Sequence, residues 1–181
     1  HTRRFSVHPL QTFTLRRGVK FHTTPYFTPT REFNADDVIF TFRRMTDAQH
    51  PFHKAFAVPY VYAQSLGLAE MIAGIDRVDE HTVRFRLKQP NVTFLSYFAM
   101  SFAGIHSAEY AAQLLAQGRA SAINNQPVGA GPYKWKSYRK DDVVRLLPPL
   151  IVGEAEIEEA ITQLDAALST LDPVPAEAAE A

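Results

Sequence analysis

Two aspartates, Asp36 and Asp37, stand side by side in "EFNADDVIFTFRRM" and are the first residues to weigh as chemistry. General acid–base work needs two carboxylates flanking one bond, whereas neighbours on a helix point about 100° apart. A helix start explains the pair better, because Asn34 can cap the free amides and first-turn carboxylates meet the positive end of the helix dipole. Three histidines, His22, His50 and His53, are the candidate metal ligands. His50 and His53 lie three apart, but zinc needs three or four converging ligands, and Pro51 between them argues against regular helical spacing. No metal site and no cofactor are expected.

The chain has no cysteine, which excludes disulfides and thiol chemistry. It also lacks the G-x-S-x-G elbow, the H-E-x-x-H helix and the G-x-x-x-x-G-K loop. "GAGPY" is rich in glycine without a lysine or a following helix, and reads as a tight turn before a strand. With no catalytic constellation, the chain is not expected to be an enzyme. The basic and aromatic stretches "TVRFRLK" and "YKWKSYRK" have the composition of a single-strand nucleic-acid face. Alternating basic residues are also how the wet side of an antiparallel hairpin stays soluble, so no nucleic-acid partner is expected.

The elements that would position these residues follow from periodicity. Alternation in "QTFTLRRGVKF" predicts a strand with Phe13 and Leu15 on one side, broken at Gly18, and "HTTPYFTPTREF" reads as an irregular loop. Val38, Ile39, Phe42 and Met45 recur at one helical face, predicting a helix over Ala35 to Thr46. A helical turn near "LAEMIAG" leads into a hairpin, "IDRVDEHTVRFRLKQP", turning at Glu80 with Val83, Phe85 and Leu87 facing the core. "VTFLSYFAM" is apolar on all sides and is expected to be buried, while "SAEYAAQLLAQG" predicts a helix capped by Ser107 and stopped by Gly118. A second hairpin is expected to turn near Lys140 and Asp141.

Length and composition, 181 residues with 46% apolar content, allow a real core, and no run reaches the roughly 18 apolar residues of a membrane-spanning helix. The zero net charge hides an asymmetry. Residues 1–152 hold all 19 basic residues and 11 of the 19 acidic ones, so the remaining acids fall in residues 153–181 without a single base. In that tail Ile157, Ile161, Leu164, Leu168 and Leu171 predict an amphipathic helix with an acidic outer face, and "DPVPAEAAEA" after it reads as disordered. The division expected is 1–147 as one lobe and 148–181 as an acidic helical tail. The chain begins at His1 with no apolar signal-peptide core behind its arginines, which suggests a processed product or a fragment.

"FTLRRGVKFHTTPYFTPTREFNADDVIFTFRRM" resembles the strand, loop and helix signature of the extracellular solute-binding proteins of peptide ABC transporters, family 5. The likeness runs on through "HPFHKAF", "VDEHTVRFRLKQP", "FLSYFAMSFAGIHSAEYA" and "QPVGAGPYKWKSY", over about residues 12–147, and is nearest to the dipeptide-binding branch. The resemblance implies an α/β chain, a fragment of the type II periplasmic-binding-protein fold. It would consist mainly of the α+β extra subdomain, with antiparallel hairpins and packed helices. It further implies a non-catalytic receptor in the periplasm or lipid-anchored outside the cell, a monomer that binds short peptides and presents them to an ABC transporter permease. A tyrosine in the loop after H-K lines the ligand cleft of that branch, which places Tyr60 there with Tyr62 as its neighbour. Gly129 and Gly131 would set the turn returning to the main lobe, and the groups that hold the peptide termini would lie beyond Leu147. Neither "HTRRFSVHPL" nor the acidic tail has a counterpart in the family, which leaves a non-transport interaction domain or a truncated or chimeric product as alternatives.

Overall fold

The computed structural model describes residues 8–138 and 144–147. The expected tail helix, the disordered end, the division at residue 147 and the turn at Lys140 and Asp141 lie outside the described residues.

Strands β1 (Leu10–Thr14), β2 (Ile72–Asp79) and β3 (Thr82–Leu87) form an antiparallel sheet in the order β1-β3-β2. Alternation sets which side of the sheet is dry. Val83, Phe85 and Leu87 point inward and are buried, while Arg84 and Arg86 occupy the wetter face. On that face Arg86 grips Asp76 through Nε at 2.7 Å and Nη2 at 3.1 Å, and Arg84 donates to the Thr12 hydroxyl at 3.3 Å. The basic stripe is thus engaged within its own sheet. A second antiparallel pair, β4 (Lys134–Tyr138) with β5 (Val144–Leu147), follows as expected.

Helix α1 (Ala35–Thr46) starts at a capping box. The Asn34 side chain accepts from the Asp36 amide at 3.0 Å, and Asp37 Oδ2 accepts from the Asn34 amide at 2.9 Å. Sequence periodicity showed one apolar face, but the helix is buried on two. Val38, Phe42 and Met45 pack on the sheet in one core with Leu68, Ile72 and Phe94. Phe40 reaches the other way into a second core of Phe21, Phe27, Phe52, Tyr110, Leu114 and Ile123. The Phe42 and Phe85 rings meet edge-on at 5.1 Å, as do Phe40 and Phe52 at 5.3 Å. Helix α1 is the shared wall between the two cores.

Four shorter helices follow: α2 (Pro51–Ala55), α3 (Val61–Ser65), α4 (Leu68–Met71) and α5 (Phe94–Tyr97). They lead to α6 (Ala108–Ala116) and α7 (Ala122–Asn125). Ser107 caps α6 by accepting from the Tyr110 amide, and Gly118 follows it at φ 64°, a left-handed conformation that favours glycine.

Pro51 opens α2 at its first position, where its missing N–H has no intrahelical partner to lose, and His50 caps the helix from outside it, so His50 and His53 do not share a regular helical spacing. One expectation needs correction. "VTFLSYFAM" is not buried throughout, for Phe94 is buried while Val92 is 78% exposed and Leu95 54%. The four-residue α5 turns only one side to the sheet, where Phe94 and Phe98 pack on Phe85. Gly129 and Gly131, expected to set a turn, do so without a left-handed φ at either, and their carbonyls face His22, whose amide donates to Gly129 O at 2.8 Å while its Nε2 stands 2.8 Å from Gly131 O.

Candidate functional site

The histidines and aspartates do not converge. His22 holds the glycine loop, His50 Nδ1 accepts from the Phe52 amide at 3.2 Å, and His53 Nδ1 donates to the Arg44 carbonyl at 2.8 Å. Among the described residues no group of three His, Cys, Asp or Glu side chains is arranged to hold a metal ion. Asp37 is fully buried and accepts from both Arg31 Nη1 and Nη2 at 2.8 Å, and from the Ala108 amide at 2.8 Å. It ties the loop before α1 to the start of α6. Asp36 makes a partly exposed 3.3 Å contact with Arg77. Both carboxylates are scaffold.

Tyr60 and Tyr62 do come together. They line one concavity of about 360 Å³ with Arg44, Met45, Ser101, Phe102 and His106 among its other walls. Local structure explains each position. Pro59 leads into α3, and the Tyr60 carbonyl accepts from the Gln64 amide at 2.9 Å as the first turn closes. One residue separates the two tyrosines, so their side chains diverge around the helix start. The Tyr60 ring turns inward, 5.4 Å from the His53 ring, while Tyr62 stays 56% exposed. Tyr62 lies nearly parallel to Phe102, with centroids 6.0 Å apart and planes 15° off. This pair is an open aromatic platform beside a polar recess.

The recess is made by Arg44, Tyr60 and His106. Arg44 projects from α1 with its Cζ 5.4 Å from the Tyr60 ring centroid, a cation–π contact. Burial lowers the Arg44 pKa from its ordinary value, with Tyr60 acting in the opposite direction. His106 sits in the loop between the 3-10 turn Ser101–Ala103 and the start of α6, held to α1 because its amide donates to Thr41 Oγ1 at 2.9 Å. Burial, aided by the Arg44 charge, pushes the His106 pKa down to about 3, so the imidazole is neutral at pH 7. Neither Arg44 in "FTFRRM" nor His106 in "AGIHSA" stands out by residue type or spacing. The available signal lay in helix geometry: Thr41 and Arg44 are three apart and both buried between the two apolar faces of α1.

Residues 11–148 match the family model described as "Bacterial extracellular solute-binding proteins, family 5 Middle". The chain belongs to this family. It is 55% identical over 134 residues to di/tripeptide-binding protein 1 of Pseudomonas aeruginosa, covering 74% of this chain and 25% of that protein. A heme-binding protein A of Haemophilus influenzae is also similar, at 42% identity over 134 residues, covering 74% of this chain and 24% of that protein. Among solved structures, the dipeptide-binding protein of Pseudoalteromonas sp. SM9913 in complex with Met-Leu superposes with a TM-score of 0.74 and 50% identity, covering 77% of this chain and 28% of that one. A periplasmic binding protein of Helicobacter pylori in complex with the peptide STSA gives a TM-score of 0.74 at 35% identity, covering 78% and 28%. The family 5 chain therefore carries an α+β part of the type II periplasmic-binding-protein fold, and spans about a quarter of the relatives it matches.

Proposed function

We propose that this family 5 chain supplies one wall of the ligand cleft of a periplasmic di/tripeptide-binding protein serving an ABC transporter. In this role peptides are bound and handed to a membrane permease as by a monomeric receptor, and no bond is made or broken. The observation that carries this reading is the shared placement of Tyr60 and Tyr62 on one concavity, in a chain 55% identical to a protein named for di- and tripeptide binding. An aromatic platform beside a polar recess suits a peptide, which brings both apolar side chains and polar groups.

A cleft wall alone holds peptides weakly, because a small ligand draws affinity from being buried on most sides. Titration of the ¹⁵N-labelled full chain with Met-Leu is expected to shift amides at Tyr60–Ala63 and Ser101–Phe102, with saturation only in the millimolar range. Perturbations that cluster elsewhere, or none at millimolar peptide, would refute this placement. Micromolar affinity would refute the claim that the wall alone is weak.

A further inference from the structure

The polar recess contains an unbalanced charge. Arg44 is only 7% exposed, and the ion pairs of the described residues, Arg31–Asp37, Arg77–Asp36 and Arg86–Asp76, leave it out. Among the described residues its Nε is buried with no hydrogen-bond partner, and the Tyr60 hydroxyl, close enough to the guanidinium to support its charge, is buried without a hydrogen bond of good geometry. A buried guanidinium without a carboxylate costs several kcal/mol, and an orphaned buried hydroxyl adds to that. The Tyr60 ring covers one face of the cation at 5.4 Å, but a ring face accepts no N–H at the guanidinium edge. Both orphaned donors belong to residues on the 360 Å³ concavity.

Neighbouring groups agree in sign. His106, on the same wall, is held neutral and adds no competing positive charge. Among the described residues no Asp or Glu lines the concavity to repel an anion or to satisfy Arg44 from within.

We propose that Arg44 and Tyr60 form a carboxylate-binding subsite that selects peptides carrying an acidic side chain. The proposal rests on the peptide-cleft reading above and adds the class of ligand. A carboxylate entering the recess accepts a charge-assisted hydrogen bond from the guanidinium edge and a second from the Tyr60 hydroxyl. The rest of the peptide then lies toward Tyr62 and Phe102.

The test follows the Arg44 Nε–H resonance of the ¹⁵N-labelled full chain at pH 7. Sodium acetate is titrated against sodium chloride at matched ionic strength, and Ala-Glu against Ala-Gln. Acetate is expected to move the Arg44 resonance saturably while chloride does not, and Ala-Glu is expected to bind about tenfold more tightly than Ala-Gln. Tyr60→Phe keeps the ring over Arg44 and should weaken acetate and Ala-Glu about three- to tenfold. Arg44→Gln should abolish the acetate response of the Val61 and Tyr62 amides, and if that variant fails to fold, Tyr60→Phe decides. Equal responses to acetate and chloride, or a Tyr60→Phe variant with unchanged affinity, would overturn the subsite. Should both peptides shift Tyr62 and Phe102 equally with Arg44 unmoved, the subsite falls while the peptide reading survives. Should acetate move Arg44 while neither peptide reaches Tyr62 and Phe102, the subsite survives and the peptide reading falls.

Discussion

Removing the Asp37 carboxylate should cost far more than removing its neighbour's. Asp37 has no exposed side-chain surface, and its two oxygens serve four donors: Arg31 Nη1 and Nη2, the Asn34 amide and the Ala108 amide. In Asp37→Ala the two amides lose their acceptor, at about 1–3 kcal/mol for each that stays unsatisfied, and a partly buried guanidinium is left without its anion. Some relaxation toward water at Arg31, whose side chain is 30% exposed, reduces the total. The expected loss is about 3–5 kcal/mol. Asp36 and Arg77 are roughly half exposed and 3.3 Å apart, so Asp36→Ala should lose less than about 1 kcal/mol. Urea unfolding followed by far-UV circular dichroism separates the two. With a slope of about 2 kcal/mol per molar, Asp37→Ala moves the midpoint down by about 2 M and Asp36→Ala by less than about 0.5 M. Comparable losses for the two variants would refute the scaffold role argued for Asp37.

Other outcomes follow from the same geometry. His106 is neutral in the fold with its pKa lowered to about 3 from 6.5, so below 6.5 the unfolded chain binds the extra proton and stability falls with pH. By pH 5 that linkage is worth about 2 kcal/mol, and a His106→Asn variant should show a correspondingly flatter stability profile between pH 7 and 5 by urea titration. A profile of the same slope would contradict the burial of His106. Phe42→Ala empties the centre of the sheet-side core and should cost about 3–5 kcal/mol in the same assay. Gly118→Ala places a side chain at φ 64° and should cost about 1 kcal/mol even though no atom lies within 4 Å of the added Cβ.

The elements most legible in the sequence were those with a cap and a period. Asn34 and the recurrence through Met45 located α1 residue for residue, and Ser107 with Gly118 located α6. Alternation found β3 and its buried Val83, Phe85 and Leu87. What escaped depends on packing between segments far apart in the chain. Nothing local to Phe40 says that it faces a second core, because its partners Phe52 and Tyr110 arrive from other helices. Whether Pro51 starts or interrupts a helix is likewise decided by its surroundings, here by His50 as the cap. At the candidate site, Tyr60 and Tyr62 came from family resemblance. Arg44 looked like its exposed neighbour Arg43, and only the fold distinguishes a buried unpaired arginine from a solvated one.

The central claim, that Tyr60 and Tyr62 stand on the wall of a peptide cleft, is tested most directly by grafting. Residues 11–147 of this chain replace the matching segment of the Pseudoalteromonas dipeptide-binding protein, to which it is 50% identical. Met-Leu binding is then measured by calorimetry. The graft should bind Met-Leu, and Tyr60→Ala or Tyr62→Ala within it should weaken binding about tenfold, about 1.4 kcal/mol each. A graft that binds Met-Leu equally well with both tyrosines replaced would contradict the claim.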